Sequence, residues 1–129
     1  MITLDYIAGI YDGEGSSIVR FRKDSRYRTG VQIDPHINIT NTNKEVLELI
    51  KSYFGYGYIY WHKRDELWYY NIYKKDQLID FTETLIPYTI IKRKELEIFL
   101  KIMKMMKQKE HLTLSGLEII HNLWCERRS

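Results

Sequence analysis

Cysteine is almost missing from this chain. Cys125 is its one representative, which excludes an internal disulfide and any multi-cysteine zinc site and agrees with a reducing, intracellular setting. Cys125 stands beside Trp124 and is expected to be packed. No apolar run approaches the roughly 18 residues a membrane span needs, so no membrane partner is expected. The N-terminus lacks the basic-then-apolar layout of a secretory signal. The four histidines are scattered, and no serine stands in a nucleophile-elbow context, so nucleophilic catalysis finds no support. Also missing are linkers, low-complexity tracts and clear internal repeats.

What is present is enough for one domain. A chain of 129 residues can bury a core without disulfide or metal staples. A hydrophobic fraction of 44% with 14% aromatics is too high for disorder, and 29% charged residues suit a soluble surface. The net charge of +3 permits a polyanionic partner without demanding one. Its distribution says more: Arg20, Arg22, Lys23, Arg26 and Arg28 crowd one short stretch, and Lys92-Arg93-Lys94 forms a second cluster. The bland account of either cluster is a solvated face.

The stretch Ile7-Ala8-Gly9-Ile10-Tyr11-Asp12-Gly13-Glu14-Gly15 is the most unusual. Leu4, Ile7, Ala8 and Tyr11 fall at helical spacing, while Gly9 and Gly13 sit four apart on one face, which would let another backbone come close. The helical pattern stops past Gly13, so Glu14 falls at a helix C-terminus, where the last carbonyls disfavour an anion. A divalent cation would reverse that sign, since a carboxylate beside a glycine carbonyl offers hard oxygen ligands. A helix-terminating turn with glycine caps explains the same letters.

Ser17 to Lys23 alternates as a strand, with Ser17, Val19 and Phe21 on one face and Ile18, Arg20 and Arg22 on the other. Asp24 to Gly30 has turn composition, and Val31 to Asn41 returns as a strand. On it, Val31, Ile33, Ile37 and Ile39 point one way, and Gln32, Asp34, His36, Asn38 and Thr40 the other. Pro35 cannot donate to the ladder, so an edge position or a bulge is expected there. Asn41-Thr42-Asn43 supplies cap chemistry for an amphipathic helix that Gly55 ends. Tyr58 to Arg64 and Leu67 to Tyr73 form a second strand pair, with Tyr58, Tyr60, His62 and Arg64 on one face, joined by Tyr69, Asn71 and Tyr73. A helix from Asp76 to Leu85, capped by Asp76, follows. Leu96, Phe99, Leu100, Met103 and Met106 then mark a helix over Glu95 to Lys109, with lysines 101, 104 and 107 outside. Thr113 or Ser115 caps a last helix carrying Leu117, Ile120, Leu123 and Trp124. The expected class is α+β, with an αββαββα core over about residues 4–94, helices on one face of a curved antiparallel sheet, and extra C-terminal helices over about 95–128.

Ile7 to Gly15 resembles the signature of the LAGLIDADG homing endonucleases, with Glu14 in place of the signature's final Asp. The order of helices and hairpins is also similar to that family's core, in its single-motif form. The resemblance implies a sequence-specific, intron-encoded DNA endonuclease that hydrolyses phosphodiesters with Mg²⁺, with Ca²⁺ binding without supporting cleavage. Carried over onto this chain, Glu14 matches the catalytic metal-binding acid and the Gly13 carbonyl the main-chain ligand beside it. Asn41 matches a residue that positions water. Lys92, with Lys94 as second candidate, matches a basic residue that stabilises charge near the scissile phosphate.

One motif supplies one Glu14, whereas cutting a duplex needs two sites. A homodimer is therefore implied, built on Ala8, Gly9, Asp12 and Gly13, with Asp12 capping or bracing the paired helices, and reading a pseudo-palindromic site. Double-stranded DNA would lie on the polar sheet face. Arg20, Arg22, Gln32, Asp34, His36, Asn38, Thr40, Tyr58, Tyr60, His62, Arg64 and Asn71 would meet it there. Lys23, Arg26, Arg28 and Lys63 would lie along the phosphates, and Asp24 and Lys94 complete the expected DNA contacts. The main alternative is a non-catalytic binder on the same scaffold, an intron maturase or DNA-binding regulator with intron RNA as partner. A purely structural dimerisation module is a third class, against which the arginine-rich strand faces speak.

Overall fold

A computed structural model describes residues 2–128. The helical period of the opening stretch forms α1 (Leu4–Glu14), started by the Thr3 hydroxyl accepting from the Tyr6 N–H at 3.2 Å. Its inward face is Ile7, Ala8 and Tyr11, all fully buried. No loop separates α1 from β1 (Gly15–Lys23). Gly15 permits this because a Cβ there would run into the Tyr11 ring.

β1 pairs antiparallel with β2 (Val31–Asn41) in unbroken register from Gly15↔Ile39 to Lys23↔Val31. The bulge expected at Pro35 is therefore absent. Pro35 is tolerated because β4 (Leu67–Ile72) pairs only with Ile37 to Asn41, which leaves the first half of β2 without a second neighbour. β3 (Tyr58–His62) closes the sheet on β4, giving the order β1-β2-β4-β3. The second hairpin is shorter than expected, so Arg64 falls in the turn and Tyr73 just past the strand.

Helix α2 (Lys44–Phe54) connects the hairpins; the Asn43 side chain accepts from the Glu45 and Val46 N–H groups, and Gly55 ends the helix at φ 83°. α3 (Lys75–Leu85) begins after Lys74 with no side-chain cap, so Asp76 is not the cap expected of it. It lies in the first turn, where its charge still complements the helix dipole. A short 3-10 turn, Ile86–Tyr88, leads to α4 (Arg93–Lys107), and α5 (Leu114–Glu126) follows under a Thr113 cap.

The helices cover the face of the sheet that carries Val19, Ile33, Ile37, Ile39, Tyr70 and Ile72. Leu47, Ile50, Leu78, Phe81, Leu85, Leu96, Phe99 and Met103 meet them from the helical side, all fully buried. Full burial stabilises each such side chain by about 1.5–3 kcal/mol. Ile98 and Ile102 belong to the buried stripe of α4, while Leu100 is only half-buried. Cys125 is exposed rather than packed, since α5 turns only Gly116, Ile120 and Trp124 fully inward. Among the described residues no helix is long and apolar enough to cross a membrane.

Candidate active site

The C-terminal turn of α1 carries two carboxylates one residue apart, and the fold uses them differently. Asp12 is half-buried, and its two oxygens accept from the Ile90 N–H at 2.8 Å and the Lys92 N–H at 3.1 Å. Both amides lie just before α4, so Asp12 ties the start of that helix to the end of α1. It thus caps the start of α4 from within its own chain, one of the two roles expected of it. Ala8 is corrected as an interface residue, because its own chain covers it completely. Gly9 and Gly13 do remain on the open side, with nothing within 4 Å of where a Cβ would stand.

Glu14 is exposed, and among the described residues it has neither a hydrogen bond nor an ion pair. It stands where the last α1 carbonyls lack helical N–H partners. Tethered by Asp12, Lys92 extends its ammonium onto the Gly15 carbonyl and to 5.7 Å from the centroid of the Tyr11 ring. A cation is thus held against the residue that follows Glu14. Burial, then the Glu95 and Asp12 carboxylates, push the Tyr11 hydroxyl up from its ordinary pKa. Tyr11 therefore stays neutral, a packing surface under Lys92. Below it the buried Ser17 hydroxyl donates to Glu95 at 2.9 Å, a long-range bond with no local sequence signal.

Asn41 lies two residues beyond Ile39, the partner of Gly15, and so at the same end of the sheet as Glu14. Its side-chain oxygen accepts from the Asn43 N–H at 2.8 Å, forming the turn into α2, which leaves its amide nitrogen and one oxygen lone pair for other work. Lys94 parts company with Lys92: it lines a hollow on the helical side with Glu97, Lys101 and Glu126. That corrects its expected place among the DNA contacts and leaves Lys92 as the candidate beside Glu14.

The opposite face of the sheet is an open trough of about 720 Å³. It brings together Arg20, Arg22, Asp34, His36, Asn38, Tyr60, His62 and Asn71 of the expected contacts, and adds Tyr69 and Tyr73. Arg22 forms an ion pair with Asp34 and donates to Gln32 at 3.0 Å. Burial, helped by the nearby Arg20 charge, lowers the pKa of His36. Tyr58 is 55% exposed on the β3 edge, and Thr40 pairs with Tyr69 at the trough's end. At the far end of the β1–β2 hairpin the Arg26 guanidinium donates twice to Asp24, at 3.0 and 2.7 Å, holding that carboxyl down at about 2. Lys23 and Arg28 are exposed near the same tip. Asn71 is the exception in the trough: only 2% exposed, it forms the floor and is not a surface contact.

Residues 7–112 match the family model described as LAGLIDADG endonuclease. The homing endonuclease I-ApeII of Aeropyrum pernix is 33% identical over 102 residues, covering 75% of this chain and 60% of that protein. The chain thus spans about three fifths of that curated relative's length. The archaeal intron-encoded homing endonuclease I-Vdi141I, solved in complex with DNA, superposes with a TM-score of 0.89 at 29% identity over 97% of this chain and 81% of that one. I-SmaMI, bound to an uncleaved DNA target in the presence of calcium ions, gives a TM-score of 0.88 at 32% identity, covering 96% of this chain but 44% of its own. The acid-and-glycine turn, the docked lysine, the sheet order and these matches agree: the chain belongs to the LAGLIDADG endonuclease family.

Proposed function

We propose that the chain is a sequence-specific, intron-encoded DNA endonuclease that works as a homodimer on a pseudo-palindromic duplex site by metal-dependent phosphodiester hydrolysis. The observation that carries this reading is Glu14, a carboxylate left exposed and unpaired at a helix C-terminus beside a docked lysine. The Glu14 carboxylate and the Gly13 carbonyl are hard oxygen donors, the type that suits Mg²⁺ or Ca²⁺. Such a site takes its remaining ligands from water and phosphate. When bound, a cation of this class lowers the pKa of a water and stabilises the leaving oxygen.

The chain's own residues do the rest. Glu14 orients the hydrated phosphate, and Lys92 places positive charge where the pentavalent phosphorus develops negative charge. The Asn41 amide nitrogen is available to donate to a water molecule. Water oxygen bonds to phosphorus and releases a proton to solvent, the bond from phosphorus to the leaving sugar oxygen breaks, and that oxygen takes a proton from solvent. Arg20, Arg22, His36 and Asn38 face base edges in the major groove, while the hairpin tip with Lys23, Arg26 and Arg28 runs along phosphates.

Dimerisation follows from the arithmetic of cutting. One chain holds one Glu14, and the open Gly9 and Gly13 face of α1 would let a second copy bring its own Glu14 near the two-fold axis. The 44% coverage of I-SmaMI fits the same idea, since that chain has room for two units of this size.

The decisive experiment substitutes Glu14→Gln. Cleavage of a target duplex in Mg²⁺ is expected to fall by at least about 10³-fold, a loss typical of removing the group that organises transition-state charge. Binding in Ca²⁺ should stay within a few-fold. A Glu14→Gln protein that still cut duplex DNA would overturn the assignment, and a wild-type protein that bound folded intron RNA but cut no duplex would favour the maturase reading.

A further inference from the structure

Asn71 lies mid-strand in β4, opposite Asn38 on one side and Tyr58 on the other. At 2% exposure it cannot reach a ligand lying in the trough. Its Nδ2 donates to the Tyr60 hydroxyl at 2.9 Å and to the Tyr73 hydroxyl at 2.7 Å, which uses both amide hydrogens. Its Oδ1 is buried and accepts nothing among the described residues. Turning the amide over would strand two N–H donors in place of one oxygen, so the present orientation leaves fewer buried groups unsatisfied.

This orientation has a consequence for the tyrosines. Each hydroxyl accepts from Asn71, so its own proton points elsewhere, and neither proton has an acceptor among the described residues. Tyr60 and Tyr73 are 39% and 47% exposed, so both donors face the open trough. The neighbouring Tyr69 is different: its hydroxyl proton is committed to Asp65. The fold thus sorts three adjacent tyrosines into two outward donors and one that is occupied.

We propose that Asn71 is a specificity-determining positioning residue: by donating to Tyr60 and Tyr73 it turns their two hydroxyl protons outward as a matched pair of donors for a base edge that offers acceptors. In the major groove guanine presents two adjacent acceptors, N7 and O6, whereas the amino groups of cytosine and adenine are donors and would meet the tyrosine protons head-on. This part of the trough therefore selects guanine at one position of each half-site. The inference rests on the reading of the trough as a DNA surface.

The test is binding selection from a randomised duplex library in Ca²⁺, comparing the wild-type protein with Asn71→Asp and the Tyr60→Phe/Tyr73→Phe double variant. An aspartate at 71 accepts from both hydroxyls, turns their protons inward and leaves lone pairs facing the groove. At one half-site position the wild type should prefer guanine by about tenfold, a discrimination within the range of one good bidentate contact. Asn71→Asp should reverse that preference toward an amino-bearing base, and the double phenylalanine variant should abolish it while the other positions keep theirs. The phenylalanine variant decides the matter if the buried aspartate does not fold. Preferences unchanged at every position, with binding retained, would overturn the proposal. A wild-type protein with no salt-dependent affinity for duplex DNA would overturn the underlying reading and this inference together.

Discussion

Asp12 and Glu14 are separated by a single glycine, yet one is saturated by its own chain and the other is left open. The difference is the 90–92 segment, which brings two backbone N–H groups to Asp12 and none to Glu14. Asp12 therefore acts through Lys92: it fixes the lysine backbone, and the side chain then lies across the Gly15 carbonyl and the Tyr11 ring. Asp12→Ala would leave two amides without their acceptor, with an expected loss of about 1–3 kcal/mol in urea unfolding. Cleavage should fall further than stability explains, by about 10²-fold under single-turnover conditions, because a charge displaced by about an ångström loses that much. DNA affinity should hold within a few-fold. Asp12→Asn keeps one acceptor oxygen and should recover part of the rate; equal rates for the Ala and Asn variants would show that Asp12 does not position Lys92.

At the level of elements, α1 has two unlike faces. Ile7, Ala8 and Tyr11 are sealed against the sheet and against Phe81, whose ring lies 6.0 Å from Tyr11, while Gly9 and Gly13 face open space. A glycine inside a helix costs about 1 kcal/mol against alanine. Two of them on the outward face make sense if something approaches closely there. Gly9→Leu should accordingly leave the single chain folded, with an unchanged or higher melting temperature, yet abolish the dimer in sedimentation and reduce double-strand cleavage. A leucine variant that still dimerised and cut normally would remove α1 from the interface.

Much of this element-level picture was legible in the letters, because the periods of 3.6 and 2 are set by which face meets the core. The hairpins, the helix order, the Asn43 and Thr113 caps and the turn at Gly55 followed from local chemistry. What was hidden depends on distant partners. Asp76 has cap chemistry, but the chain enters α3 two residues too early for it, at an N-cap of Lys74. Pro35 has the edge position expected of it, because β4 stops short of it, but the burial of Asn71 and its bonds to the Tyr60 and Tyr73 hydroxyls were not legible. The roles of Asp12 and Lys92 needed the return of residue 90 to the end of α1, a contact across 78 positions that no local pattern records.

At the scale of the whole molecule, the chain is polar along one sheet face, apolar between sheet and helices, and open at one helix end. On the proposed function those three surfaces would serve three separate tasks: holding a duplex, holding the fold, and holding a second copy with its own Glu14. The tasks can be separated, because two active sites acting on two strands need not fail together. When wild-type chains are mixed and reannealed with Glu14→Gln chains, the mixed dimer keeps one complete Glu14 site. It should still bind a plasmid carrying the target, but cut only one strand. Supercoiled plasmid in Mg²⁺ should then accumulate as open circles, whereas wild-type dimers carry it on to linear product and Glu14→Gln dimers leave it supercoiled. If the mixture yields only supercoiled and linear forms, with no nicked excess over the sum of the two parents, each strand does not depend on its own Glu14. In that case the two-fold arrangement of sites is wrong, even if every single-residue result above holds.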